Sequence, residues 1–362
     1  MQTRTRNALA LVAFAVVAAA ALIAVWRLRR GPSASVALDG VPAGALLVAT
    51  ADLAALRGSP VGGRFLREGR EIPGMGKVRD VCGFDPLDVL TDVAVAIPAG
   101  GDEGDFGVVG AGPIDDEAVL SCASKVIAAR GGKPVVTAIG SFRSVRDADL
   151  PGSGGEIAVR KGGPLLLGAG AYLRAMIDAA DGRTPNIRSS VAHMQLAGVV
   201  GEGAIRASIV LTPEQRRTIA TELRTAGGDR GAVGGLEAAA FSMRLGADLA
   251  FRSALACDDP RAATALAEAL GRARAERAAD PATRVLGLGG VLDRLEIVPR
   301  DELVLADVNV PVDEAAVLVD RVLTLRGFRH PTPALPQDGE MAPLPSGEPS
   351  PDEVVRPDGG VP

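Results

Sequence analysis

The sequence predicts an α+β protein: a tandem duplication of a strand-helix-strand-strand-helix-strand-strand-helix unit, with mainly antiparallel sheets covered by helices. Three observations lead there. Short apolar runs are joined by Gly-rich or two-residue turns, which suits hairpins rather than crossovers. Capped helical segments fall between those runs. Motifs also return at a fixed offset: Asp105-Phe106-Gly107-Val108-Val109-Gly110, followed by Asp115-Asp116-Glu117-Ala118, lies 143 positions before Asp248-Leu249-Ala250-Phe251-Arg252-Ser253, followed by Asp258-Asp259-Pro260-Arg261. Glu156-Ile157-Ala158-Val159-Arg160 and Glu296-Ile297-Val298-Pro299-Arg300 match at an offset of 140, each followed by a second apolar run and a helix.

In chain order, the first half opens with a strand at Ala45–Ala51 and a helix over Leu53–Glu68 interrupted near Pro60. A short helix covers Lys77–Val81. Val93–Ile97 and Phe106–Gly110 form a hairpin across Gly100–Gly104. A helix runs from Asp116 to Arg130 and stops at Gly131-Gly132. Strands follow at Pro134–Ile139, Phe142–Arg146, Glu156–Arg160 and Leu165–Gly168, then a helix near Tyr172–Ala180. Arg183-Thr184-Pro185-Asn186 marks the joint, and Ser190–Val200 reads as a linker helix carrying His193. In the second half, Thr212-Pro213-Glu214-Gln215 is a capping box whose helix ends at Gly227-Gly228. Asp259-Pro260 starts a helix reaching about Ala279, and Asp313–Leu325 is the last.

The chain divides into an anchor at 1–30, a first repeat at 38–182, a linker at 183–194, a second repeat at 195–328 and a tail at 329–362. Ala8 to Trp26 is uncharged, and nineteen residues at about 1.5 Å each approach the thickness of a bilayer's hydrocarbon core. Arg4 and Arg6 precede it; Arg27, Arg29 and Arg30 follow. The run is long for a signal-peptide core, so a single uncleaved membrane helix is expected. The flanking arginines give the positive-inside rule almost nothing to choose between. The short N-terminal tail before a first apolar segment looks like an uncleaved export signal, which favours a body outside the cytoplasm. The tail at 329–362 holds nine of the 25 prolines and six acids, and reads as disordered.

Charge argues against a nucleic-acid partner. The net charge is -5, but residues 1–30 carry five arginines and no acid, so the remainder carries -10. An acidic body has no surplus of cations to displace counterions from phosphates. The poverty of His and Cys limits chemistry further: His193 and His330, Cys82, Cys122 and Cys257 are all there are. That is too few for a Cys₄ or Cys₂His₂ zinc site.

Each motif has a plain structural use. Gly110-Ala111-Gly112 stands between strand and helix, but position 115 is Asp, which would repel a pyrophosphate. Gly168-Ala169-Gly170 fails likewise. Asp102, Glu103 and Asp105 lack the spacing of a calcium loop. Asp115-Asp116 and Asp258-Asp259 sit where helix caps belong. His193 reads as a packing or surface histidine, and Gly152-Ser153-Gly154 is not a nucleophile elbow. No residue is assigned as catalytic, cofactor-binding or metal-ligating. A converging cleft would change that, and Asp85, Asp88 and Asp92 facing Arg79 is the first place to look. Three thiols in an exported body allow one bridge and one free thiol; a Cys82–Cys122 bridge would close a loop of about 40 residues.

Val41-Pro42-Ala43-Gly44-Ala45-Leu46-Leu47-Val48 leading to Asp52-Leu53-Ala54-Ala55-Leu56, with Cys82-Gly83-Phe84-Asp85-Pro86-Leu87, resembles a family of uncharacterised bacterial proteins. These have one N-terminal membrane segment and a duplicated α+β extracytoplasmic body. The resemblance implies that organisation over residues 38–328, in a single-pass protein of the bacterial inner membrane with a periplasmic body, and transfers no site. The expected function is therefore a non-enzymatic, membrane-tethered envelope protein that binds a protein partner. The alternative is a carrier or sensor of an apolar ligand held between sheet and helices; an enzyme ranks third.

Overall fold

The computed structural model describes residues 36–60, 62, 71–72, 75–100, 106–150, 155–225 and 235–325. The expected membrane segment Ala8–Trp26 and the tail at 329–362 lie outside the described residues. Within them, no helix is long and apolar enough to cross a membrane.

In chain order, a 3-10 turn (Val36–Gly40) leads into β1 (Ala45–Asp52) and α1 (Leu53–Gly58). A two-stranded ribbon, β2 (Glu71–Ile72) and β3 (Gly76–Lys77), precedes α2 (Val78–Cys82) and α3 (Pro86–Val89). Then come β4 (Asp92–Pro98), β5 (Gly107–Ala111), α4 (Asp116–Ala129), β6 (Pro134–Ile139), β7 (Phe142–Asp147), β8 (Glu156–Val159), β9 (Leu165–Gly168) and α5 (Gly170–Ala180). After α6 (Val191–Val200), the chain forms β10 (Ile205–Val210), α7 (Pro213–Thr225), β11 (Leu236–Leu245), β12 (Asp248–Cys257) and α8 (Pro260–Ala279). It ends with α9 (Pro281–Val285), α10 (Gly289–Arg294), β13 (Glu296–Arg300), β14 (Leu303–Pro311) and α11 (Val312–Leu325). The α+β class is as the sequence predicts, and both the Gly-rich hairpin and the cap signals are realised. Asp115 accepts from Ala118 N at 3.1 Å and Asp259 from Ala262 N at 2.7 Å. Thr212 and Gln215 bond reciprocally at 2.9 and 3.2 Å.

One finding goes beyond local pattern. Instead of separate sheets, twelve strands form one antiparallel sheet in the order β13-β14-β12-β11-β10-β1-β4-β5-β9-β8-β7-β6. The seam is β1 against β10, with Val48 opposite Ser208 and Thr50 opposite Arg206. Outward from that seam, one half reads β1-β4-β5-β9-β8 and then β7-β6; the other reads β10-β11-β12-β14-β13.

Helices cover both faces. On one, α5 and the 3-10 turn seal a core of Ala37, Val41, Val109, Phe142, Leu166, Leu173, Met176 and Ile177. Gly107 is glycine here because a Cβ would collide with Met176 Sδ and the Tyr172 ring. On the same face α6 sets Leu196 and Val200 against Ala238, Ala240 and Ala254. On the other, α4 packs Val119, Leu120 and Ala123 on Val145 and Val159, while α8 packs Ala263, Leu266 and Ala267 on Val304. Cys82 and Cys122 form a disulfide with Cα atoms 4.6 Å apart, tying α2 to α4.

Candidate functional site

The expected linker helix, α6, turns out to be part of the body, and the 194/195 boundary falls inside it. His193 is its pivot. It is 4% exposed, with Nδ1 2.7 Å from Ser208 Oγ and Nε2 3.0 Å from Ala45 O. A carbonyl only accepts, so Nε2 carries the proton and Nδ1 accepts from the Ser208 hydroxyl. Burial holds the imidazole below its ordinary pKa, partly opposed by the Ala45 carbonyl. His193 is thus a neutral tie from α6 to the first strand of each half, a more specific role than packing. The sequence signal was faint: a histidine and a glutamine, His193 and Gln195, in a helix otherwise of apolar residues and glycine.

Beside α6, over the second half of the sheet, lies an open groove of about 620 Å³. Leu196 and Val199 of α6 form one wall; Val210, Leu211, Ala238, Ala256 and Leu303 line it below. In an antiparallel sheet directly opposed residues share a face, and Ala238 opposes both Val210 and Ala256. The floor is therefore apolar, with the small side chains of Ala238 and Ala256 at its centre. The rim is charged: Arg216 Nη1 donates to Glu237 at 2.7 Å, with Asp301 and Glu302 nearby. Arg216 Nε is buried without a hydrogen-bond partner. Cys257 also borders the groove, but burial and the neighbouring Asp258, Asp259 and Glu237 push its thiol up, away from the nucleophilic thiolate.

A second cleft, about 340 Å³, opens at the end of the β1–β10 seam. It gathers Asp52, Asp92, Glu202, Arg206 and Arg244 around the buried Thr50. Asp52 and Asp92 are cross-strand partners. Each has local work: Asp52 accepts from Ala55 N at 2.8 Å, and Asp92 accepts from the Thr91 hydroxyl at 3.0 Å. Neither histidine nor thiol lines this cleft. Under α6 a further space, lined by Leu38, Val48, Ile187, His193 and Arg206 among others, measures about 90 Å³.

The suspected acidic cluster does not converge. Arg79 pairs with Asp88 at an exposed position, Asp85 caps α3 by accepting from Leu87 N at 3.0 Å, and Asp92 faces the cleft beside Asp52 instead. Among the described residues no group of three or more His, Cys, Asp or Glu side chains could hold a metal ion.

No family model matches the chain, and no curated protein matches it. A solved structure described as crystal form I of TP0453 is similar over 78% of this chain and 96% of that one. Its sequence identity is 10% and the TM-score 0.42, a likeness too slight to carry function across.

Proposed function

We propose that this chain is a non-enzymatic, membrane-tethered protein of the bacterial cell envelope that binds a protein partner in the groove beside α6. The carrying observation is that groove: about 620 Å³, open, apolar along its floor, with a charged rim. Apolar centres ringed by polar groups are where protein partners bind. A carrier would hold its apolar ligand between helix and sheet, in a cleft or cavity of roughly 300 Å³ or more that buries most of the ligand. The space under α6 is about 90 Å³, so partner binding is the better-supported reading.

The body itself is a duplicated unit in this proposal. The support is the order outward from the seam: β1-β4-β5-β9-β8 in one half parallels β10-β11-β12-β14-β13 in the other. The antiparallel β1–β10 pair suits a two-fold relation between copies. An experimental structure in which a rotation lays β1 on β10 and β5 on β12 is expected; failure to superpose would end the duplication reading.

The partner reading is tested by placing a photo-crosslinking amino acid at Val199 and, as a control, at Val285 outside the groove, in full-length protein in its own membranes. A discrete protein adduct at Val199 and none at Val285 is expected. Adducts to lipid alone would favour the carrier, and identical adducts at both sites would remove the groove from consideration. Mass spectrometry of the intact N-terminus tests the anchor: a chain beginning near Leu38 would exclude it.

A further inference from the structure

The two outer edges of the sheet are built differently. At one end, β13 is guarded: Glu296 and Arg300 bound it, and Pro299 interrupts its backbone donors. Charge and proline are the usual means of keeping an open edge from pairing. At the other end, β6 has the sequence Pro134-Val135-Val136-Thr137-Ala138-Ile139, without a charge and with proline only at its first position. Among the described residues no strand lies on its outer side.

The backbone groups that face outward can be identified. β6 and β7 are joined by Gly140-Ser141, with Ile139 opposite Phe142 and Gly140 at φ 59°, the left-handed conformation a two-residue hairpin turn requires. In such a hairpin the closing pair is hydrogen-bonded, so Ile139, Thr137 and Val135 bond inward to β7. The bond from Ala148 N to Lys133 O, 2.9 Å, continues the same alternation. Pro134, Val136 and Ala138 therefore direct their backbone groups away from the sheet. Val136 is 48% exposed and Val135 36%. Thr137 instead shares a hydrogen bond of 2.9 Å with Ser144 across the hairpin.

We infer that β6 is an interface for a second copy of this chain, pairing antiparallel with the partner's β6 across a two-fold axis at Thr137. Three features select that occupant. An uncharged strand can lie against itself with no like charges opposed. In this register Val136 of one copy faces Ala138 of the other, so the outward N–H and carbonyl groups of both residues are used. Head-to-tail pairing of β6 on β13 would instead give an open filament, and Pro299 removes a donor from that edge. The two-fold pairing closes on itself and joins two twelve-stranded sheets into one. It leaves the groove beside α6 free, so self-pairing and partner binding stand or fall separately.

The register makes a sharp test. In full-length protein purified in detergent, Thr137→Cys should form a disulfide-linked dimer under mild oxidation, because a strand residue on the axis meets its own copy at Cα separations of about 4.5 Å. Val135→Cys should not, since it would face Ile139 of the other copy; nor should Val298→Cys on β13. Val136→Pro should abolish the dimer in sedimentation while leaving the circular-dichroism spectrum and thermal unfolding in place, as it removes only an outward donor. Ala138→Pro serves if that variant does not fold. A wild-type chain that stays monomeric with no Thr137→Cys crosslink would overturn the inference. So would crosslinking at Val135→Cys or Val298→Cys as fast as at Thr137→Cys, or a particle holding one copy of this chain and a different protein on β6.

Discussion

α5 and α6 lie on the same face of one sheet, yet they cover it to different depths. Under α5 the sheet offers Val109, Phe142 and Leu166, and the helix answers with Leu173, Met176 and Ile177, all 0–2% exposed. Under α6 the sheet offers Ala238, Ala240 and Ala254, and the helix contributes Leu196 and Val200. Alanine adds little beyond the backbone to fill the layer between sheet and helix. One half thus has a filled core while the other keeps a groove beside its helix. The difference teaches that closure of a helix on a sheet is set by summed side-chain volume, not by the presence of the helix alone.

The largest effect expected from breaking that contrast is at Phe142. It is 1% exposed in the filled half, and Phe142→Ala should cost about 3–5 kcal/mol, measured by denaturant unfolding. Leu196→Ala beside the groove should fall near the low end for its type, about 2 kcal/mol, because an open site leaves less new cavity. Equal losses would mean the two halves are packed alike.

Next in size is the disulfide, which braces only the first half. The Cys82→Ser/Cys122→Ser variant should lose about 2–4 kcal/mol in the same measurement. Reducing agent should lower the wild type to the variant's level and leave the variant unchanged.

The seam between halves has its own probe in His193. Its pKa is depressed in the fold, so the unfolded chain binds the proton first as pH falls. This contribution to stability is complete above the ordinary histidine pKa of about 6.5 and is lost as pH falls through the folded value. The slope from one proton is at most about 1.4 kcal/mol per pH unit. Unfolding midpoints from neutral pH downward should show it in the wild type and not in His193→Gln. A wild type flat through that window would show that His193 does not titrate between folded and unfolded states.

The smallest effect is expected at Tyr172, on α5 in the filled half. Burial pushes its phenol up to about 12, and its hydroxyl is buried without a hydrogen-bond partner. Tyr172→Phe should then change stability by less than about 1 kcal/mol, and in the stabilising direction, since an unmet polar group is removed. A clear destabilisation would reveal a partner for that hydroxyl.

Local signals carried much of this fold. The strands at 134–139 and 165–168 fall where apolar runs and turn residues put them, because a hairpin of adjacent strands is specified by its own few residues. Asp115 and Asp259 cap helices as their positions imply, since a cap bonds within three residues. The candidate site was less legible. Asp92 belongs with Asp52 because β1 and β4 pair, and no spacing along the chain reveals that. His193 meets Ala45 across 148 positions.

By itself, then, the sequence determined the α+β class, the order of most elements, the helix caps and the scarcity of histidine and cysteine. These depend on period, propensity and composition, which act over a turn or two of chain. Only the tertiary structure decided that both halves share one sheet, that α6 is held to the seam by a neutral histidine, and that a groove lies beside it. Those follow from which distant strands share backbone hydrogen bonds and from how side-chain volumes sum across a face, quantities that exist only once the chain has closed on itself.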